Sequence, residues 1–337
     1  MPAEFAVTAV DPADYLPARD LTGIGALATA RTIGGYQLGQ LIGRGGSSVV
    51  YRAFDGRSRV VAIKLAISER CGDPAFRRQF SQQTRVSAVL DHRSVLPVID
   101  SGEHRGRPYL VMPHVQGADL RQRLVADRLT VGRILVLLRQ VADGLDALHA
   151  SGVLHLDVKP ANVLVGRVDG AVTSRRSPER TEPIATDASD TDASDTDASD
   201  TEPAATRAGQ QERAYLADLG LCRFLKDKPS KSAPDFVGSP RFSSPEHLCG
   251  RALQSAADVY ALTCLLFASL AGQPPYVGGL PAIVTGHLSG RVPSLAALTG
   301  LPRSLDRVVR RGMHPDPGSR YGSCRELVEG ARLAILG

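Results

Sequence analysis

The octapeptide His155-Leu156-Asp157-Val158-Lys159-Pro160-Ala161-Asn162 follows a segment, Thr130 to Ala150, that carries Ile134, Leu137, Leu138, Val141, Leu145 and Leu148 at helical intervals. Those intervals gather the apolar side chains into one stripe, so an amphipathic helix of about five turns is expected to feed directly into the octapeptide. The loop then offers a carboxylate at Asp157, an ammonium at Lys159 and a neutral amide at Asn162. Together these are a base, a cation and an oxygen ligand for a metal. Taken singly, such a loop also reads as a polar turn with a helix cap.

Three other stretches gain meaning beside this one. Downstream, Asp218-Leu219-Gly220 closes a short strand-like piece, Ala214 to Ala217, and presents a second carboxylate. Carboxylate oxygens suit Mg²⁺, which prefers hard ligands and keeps phosphate oxygens in its shell. Upstream, Gly43-Arg44-Gly45-Gly46-Ser47-Ser48-Val49 joins two strand-like runs. Glycines there let backbone N–H groups approach phosphate oxygens without a Cβ in the way, although a plain hairpin turn has the same composition. The stretch lacks the Lys-Ser/Thr ending of a P-loop and no helix follows it, which argues against both the P-loop and the dinucleotide-binding readings. Val61-Ala62-Ile63-Lys64 sets a lysine in a β-branched strand. Such a lysine ordinarily reaches water; one strand beyond a glycine-rich turn it can reach phosphates instead.

Around these motifs the texture changes twice. Residues 1–34 are rich in Ala, Pro and Thr without periodicity and are expected as a mobile leader. Residues 35–115 hold strand-like runs at Tyr36–Ile42, Val49–Phe54, Arg59–Ile67, Val95–Asp100 and Tyr109–Val115, with a helix at Phe76–Leu90. Residues 116–335 are mostly helical: Ala256–Ala271 is apolar nearly all round and is expected as a buried central helix, with further helices near Leu280–Leu288, Leu305–Gly312 and Ser323–Leu336. The expected fold class is α+β, with a small antiparallel five-stranded unit bearing one main helix ahead of a larger, mostly α unit. Inside the second unit, at about 167–213, T-D-A-S-D repeats three times. That acidic, nearly apolar-free insert cannot offset its ordering entropy and is expected as a disordered linker. It lies between Asn162–Val165 and Ala214–Ala217. If those pair as a hairpin, the insert is a swollen turn costing roughly 2 kcal/mol more than a short one. Removing Val168 to Arg213 is therefore expected to be tolerated.

Composition bounds the remainder. With 337 residues and 43% hydrophobic content the chain can form a real core, so collagen-like and wholly disordered classes are excluded. Its five cysteines (Cys71, Cys222, Cys249, Cys264, Cys324) never form a C-x-x-C pair. Neither a zinc motif nor a disulfide framework is indicated, and a reducing, cytoplasmic location fits. They read as buried packing groups, with an oxidation-accessible Cys222 as the alternative. The longest apolar run, Tyr260 to Gly272, is too short for a membrane span of about 20 residues, and the N-terminus lacks signal-peptide character. The net charge of +5 divides into −5 for Gly166–Ala214 and +10 for the rest. A basic body fits a phosphate-handling enzyme; without zinc-finger spacing or RNA-binding aromatics, nucleic acid is not expected as a partner.

In order and spacing, these motifs resemble the eukaryotic-like protein kinase family in its bacterial serine/threonine branch, over roughly residues 36 to 333. Gly238-Ser239-Pro240-Arg241-Phe242-Ser243-Ser244-Pro245-Glu246 resembles the substrate-facing segment that ends in A-P-E. Asp258-Val259-Tyr260 and Arg320 stand where the family keeps a structural Asp and the Arg that pairs with Glu246. The resemblance implies a two-lobed fold and transfer of the γ-phosphoryl of ATP to protein Ser/Thr hydroxyls, with Mg²⁺ (Mn²⁺ as the alternative). It implies Lys64 at the α- and β-phosphates and Asp218 and Asn162 as metal ligands. It further implies Asp157 as the base and Lys159 at the γ-phosphate. Ile42, Gly43, Gly45, Val50, Ala62, Met112, Val115 and Leu164 then line the ATP site, with Met112 as gatekeeper and Pro113 to Val115 as hinge. Protein substrates are implied and a membrane partner is not expected; back-to-back lobe dimers are common in the family, so a homodimer stays open.

The sequence departs from the family pattern in places. Nineteen residues past Lys64 stands Gln83 rather than a glutamate, with Gln79 and Gln82 nearby. An amide accepts a hydrogen bond, but a charge-assisted pair is about twice as strong. Leu156 replaces the Arg that normally grips a phosphorylated activation loop, although Ser230, Ser232, Ser239, Ser243 and Ser244 lie in that stretch. Ser48 stands for the third loop glycine, and Leu219 for Phe. These changes raise the alternative of a pseudokinase, a nucleotide-sensitive or scaffolding module.

Overall fold

The computed structural model describes residues 32–336 apart from Gly46, Ser68, Arg128 and the stretches 169–211 and 227–237. In the small lobe, β1 (Thr32–Ile33), β2 (Tyr36–Arg44), β3 (Ser48–Phe54) and β4 (Val60–Ala66) precede α1 (Pro74–Val89). The strands β5 (Asp100–His104) and β6 (Arg107–Pro113) complete an antiparallel sheet in the order β1-β2-β3-β4-β6-β5. The lobe thus has five main strands and a short sixth.

That sixth strand corrects the leader boundary. Gly34 and Gly35, both at positive φ, turn the chain so that Ile33 pairs with Tyr36 and lies buried in the sheet core. A Gly-Gly pair is a turn that matches strand twist, a signal outweighed by the featureless residues before it. Val95–Ile99 is not a strand of the sheet either. Val95 bridges Leu216 instead, with Leu96 N–H donating to Leu216 O at 2.8 Å, and the edge strand begins at Asp100.

Register determines which side chains face the cleft. Val50, Lys64 and Leu110 are directly opposite one another across β3, β4 and β6, and so are Arg52, Ala62 and Met112. Opposed residues share a face, and alternate residues take the other. Val61, Ile63 and Leu65 therefore fill the core with Tyr51, Tyr109 and Val111, while Ala62 and Lys64 point to the opposite side. On that side α1 packs Phe76 and Phe80 against Leu110 and Ala66.

The large lobe opens with β7 (Val115–Asp119), α2 (Leu120–Ala126) and α3 (Val131–Ala150). Asp119 Oδ1 accepts Gln122 N–H and Thr130 Oγ1 accepts Arg133 N–H, so each helix has a side-chain N-cap. The short strands β8 (Val153–Leu154), β9 (Val163–Val168), β10 (Arg213–Leu216) and β11 (Arg223–Phe224) frame the loops of interest. They precede α4 (Pro245–Leu248), α5 (Ser255–Ala271), α6 (Leu280–Ser289), α7 (Leu295–Thr299), α8 (Ser304–Gly312) and α9 (Cys324–Leu336). Helix α5 is buried from Ala257 through Leu270, as its all-round apolar composition requires. No helix among the described residues is long and apolar enough to cross a membrane.

The hairpin flanking the insert is present: β9 and β10 pair antiparallel, Gly166 opposite Arg213 and Leu164 opposite Tyr215. The T-D-A-S-D repeat lies outside the described residues. Its borders are not dispensable, however. Val168 pairs with Val115, and the Glu212 carboxylate binds both Arg123 and, at 2.9 Å, Arg133. Deletion of Val168–Arg213 is thus expected to destabilise the lobe. Replacing only residues 169–211 by a short turn is expected to leave the stability equal to or above that of the full chain, by up to roughly 2 kcal/mol of loop-closure cost. Thermal denaturation of both deletions checks this, and equal losses in the two would refute it.

Candidate active site

The octapeptide loop is anchored from beneath. Asp258, fully buried in the first turn of α5, accepts His155 N–H and Leu156 N–H at 2.8 Å each, and its Oδ2 lies 2.8 Å from His149 Nε2. Burial alone would raise this carboxyl; His149 beside it and the backbone N–H donors hold it below the usual carboxylate range. The bonds also sustain Leu156 at φ 64°, a left-handed conformation uncommon for such a side chain. Because the grip falls on the main-chain N–H of residue 156, the leucine side chain plays no part in it.

Two residues on, Asp157 is buried, with its two oxygens in different circumstances. Oδ2 receives Lys159 Nζ at 2.8 Å and Asn162 Nδ2 at 2.7 Å. Asn162 Nδ2 also donates to Asp157 O at 2.8 Å, so both amide protons are committed and the carbonyl oxygen is the end left for a ligand's role. Asp157 Oδ1 is buried and has no hydrogen-bond partner among the described residues. An orphaned carboxylate oxygen costs stability and marks a position meant for a donor from outside. Lys159 Nζ further donates to Ser239 Oγ at 2.8 Å, tying the loop to the Gly238–Glu246 segment. Ser239 belongs to a motif visible in the sequence, yet its contact with Lys159 has no local signal there.

Asp218 takes a left-handed conformation, φ 57°, at the start of a short turn through Leu221, and Ala217 N–H donates to Asn162 O at 2.9 Å. That bond brings the two loops side by side. Lys64 reaches down from β4 and donates to Asp218 Oδ1 at 2.7 Å, with its ammonium 5.7 Å from the Phe80 ring centroid. Desolvation pushes the Asp218 carboxyl up, but the charge and hydrogen bond of Lys64 override it and hold the group below its ordinary value. Gln83 is buried on α1. A Cβ on Gly220 would meet its Nε2 at 3.2 Å and Asp218 Oδ1 at 3.4 Å, so glycine leaves room for the amide against this turn. With no acid on α1 at this point, the lysine's salt-bridge partner is Asp218.

Cys222 reports the convergence. Its buried thiol is pushed well up by burial and by the carboxylates of Asp258, Asp218 and Asp157 together. It is therefore a packing group and not the exposed thiol held open as the alternative.

Of the residues expected around a nucleotide, Val50, Ala62 and Met112 are close on the cleft face of the small-lobe sheet. Ile42 is 44% exposed at an irregular step between β2 and β3. Gly43 pairs with Val50, and Gly45 N–H closes the turn on Ser48 O at 2.8 Å. Val115 and Leu164 come from the three-stranded sheet of the large lobe. Beside Lys159 a cavity of about 410 Å³ opens between Leu124, Ser239, Pro240, Phe242 and Pro274.

Farther off, Glu246 and Arg320 form a buried bidentate pair at 2.7 and 2.8 Å. Arg320 spends its remaining donors on His314 O, Ala256 O and Pro315 O. All five guanidinium N–H groups are thereby used.

The protein kinase domain model matches residues 36–328 of this chain. The serine/threonine-protein kinase PknH of Mycobacterium bovis is 32% identical over 306 residues, covering 90% of this chain and 44% of its own length. PknE of Mycobacterium tuberculosis is 31% identical over 305 residues, covering 90% and 46%. The chain thus spans less than half the length of these curated relatives. The crystal structure of the Mycobacterium tuberculosis PknI kinase domain superposes with a TM-score of 0.62 at 27% identity, covering 90% of this chain and 97% of that one.

Proposed function

The chain belongs to the protein kinase domain family, in its bacterial serine/threonine branch, and on that premise we propose that it transfers the γ-phosphoryl of ATP to serine or threonine hydroxyls of protein substrates. The observation that carries this reading is the divided carboxylate of Asp157. One oxygen is immobilised by Lys159 and Asn162, and the other is buried and unpaired, as a base awaiting a hydroxyl must be.

The donor set fits a hard divalent cation: the Asp218 carboxylate and the Asn162 amide oxygen are the residues that would hold it. When bound, Mg²⁺, or Mn²⁺ with the same oxygen preference, supplies charge neutralisation along the phosphate chain. The protein's own groups do the remainder. Asp157 Oδ1 orients the acceptor hydroxyl and takes its proton as the new P–O bond forms and the bond from the γ-phosphorus to its bridging oxygen breaks. Lys159 keeps the carboxylate aimed through its 2.8 Å contact, and Lys64, across β3 from the Gly43–Gly45 turn, would meet the phosphate oxygens. Positioning and charge account for most of phosphoryl-transfer catalysis, so these few groups suffice.

Radiolabelled transfer from Mg·ATP by the purified chain tests the reading, together with thermal shifts by ATP with and without Mg²⁺. Incorporation that requires the metal and a metal-dependent ATP shift are the expected results. An ATP shift without any incorporation, whatever the metal and protein substrate, would identify a nucleotide-binding scaffold and overturn the proposal.

A further inference from the structure

Behind the loop anchored by Asp258, a second cluster of ligand-type side chains occupies the seam between α3 and α9. Asp146 and His149 stand one turn apart on the same face of α3, and Cys324 opens α9 directly opposite. One carboxylate oxygen, one imidazole nitrogen and the thiol sulfur all lie within 4.8 Å of one another. We propose that Asp146, His149 and Cys324 form a Zn²⁺ site, distinct from the phosphoryl-transfer cleft.

The argument begins with the histidine. Its Nε2 is 2.8 Å from Asp258 Oδ2, a carboxylate that already accepts two backbone N–H groups and has nothing to donate. Nε2 is therefore the donor, and Nδ1 is the ring nitrogen whose lone pair a metal would take. That lone pair belongs to the nitrogen on the Asp146 side, 3.9 Å from Asp146 Oδ1, which is too far for a hydrogen bond. A carboxylate behind a histidine whose other nitrogen faces further ligands is the usual outer support of a zinc-bound imidazole.

Asp146 and Cys324 are held in place independently of any ion. Asp146 Oδ1 accepts Cys324 N–H at 2.9 Å and Oδ2 accepts Arg325 N–H at 3.0 Å. Each oxygen retains a lone pair after capping α9. The Cys324 thiol is fully buried beside the Asp146 carboxylate, and a cation bound between them would displace its proton. A carboxylate plus a thiolate carry two negative charges, which one divalent cation neutralises. Sulfur excludes Mg²⁺ and Ca²⁺, which keep to oxygen; one O, one N and one S suit Zn²⁺. Zinc ligands sit ~3.5 Å apart, so the three atoms must draw in by about 1 Å, within the reach of side-chain rotation. Asp146 and His149 are partly exposed, which gives the ion an entry and leaves a fourth position to water. Occupancy would fix the His149 ring against Asp258 and thereby stiffen the loop that carries Asp157.

The experiment uses the full chain, freed of metal by dialysis and free of Mg²⁺ and nucleotide, with Zn²⁺ and then Co²⁺ as probes. One equivalent of tightly bound metal and a thiolate-to-Co²⁺ charge-transfer band are expected. Cys324→Ser and Cys324→Ala should abolish the band and weaken binding at least on the order of 10–100-fold, and Asp146→Asn should weaken it comparably. Asp218→Asn, which alters the cleft, and Cys249→Ser, which removes the exposed thiol, should leave both readouts unchanged. Absence of stoichiometric binding by the wild-type chain overturns the site. So does binding that survives in a folded Cys324 variant, or binding that disappears with Cys249→Ser.

Discussion

Asp157→Asn is expected to lower phosphoryl transfer by roughly 10²–10⁴-fold, the span general-base catalysis typically contributes, with little change in melting temperature or in affinity for ATP. The substitution keeps the shape of the side chain. Its remaining oxygen can still accept from Lys159 Nζ and Asn162 Nδ2, as Oδ2 does now at 2.8 and 2.7 Å. What changes is the other arm: the unpaired acceptor Oδ1 becomes an N–H₂, a donor where the acceptor hydroxyl needs somewhere to leave its proton. Single-turnover transfer measured beside a nucleotide-binding assay separates the two effects. Equal incorporation by the variant and the parent would remove Asp157 from the chemistry.

The second large effect concerns stability. Arg320→Met is expected to cost about 3–5 kcal/mol, because it strands a buried Glu246 without its partner. Arg320→Lys should recover little of this, since an ammonium cannot replace five fixed N–H donors to Glu246, Ala256, His314 and Pro315. The pair also sets a pH dependence. Burial pushes the Glu246 carboxyl up, but Arg320 more than compensates and holds it below the ordinary glutamate value of 4.5. As pH falls below about 4.5 the unfolded chain takes up the proton first, so stability contributed by this pair is present above that pH and drains away on acidification through the lower folded value. Melting curves should therefore fall more steeply below about pH 4.5 for the parent than for an Arg320→Met/Glu246→Gln double variant. Parallel curves, or a loss under 1 kcal/mol for Arg320→Met, would show that the pair is not coupled to folding as described.

Much of this architecture is legible in the sequence, for identifiable reasons. The Thr130–Ala150 stripe, the β-branched run at Val60–Ala66 and the apolar helix Ser255–Ala271 each carry a long, single-period signal that tertiary contacts reinforce. Other features escape because they lack one. The two residues of β1 are too few for a period, and Asp100–His104 is an exposed edge strand of mostly polar residues with no alternation to read. The active-site loops are found by local motifs, but their anchoring is not. The grip of Asp258 falls on backbone N–H groups over a hundred residues away, and the side chains at those positions carry no sign of it. The Glu212 pairs and the Asp146–Cys324 contact likewise join distant segments, and a scan for cysteine spacing has no access to a cluster 178 residues wide.

The Lys64–Asp218 bond has a consequence for how the cleft fills. On the proposed reading an incoming divalent ion would claim the same Asp218 carboxylate, so the ammonium acts as its placeholder. A metal arriving alone would have to evict that tenant and leave it without an anion; one arriving with a triphosphate would offer the displaced lysine a new one. Loading would in this sense be an ion swap, and the exchange would favour the two guests entering as a couple.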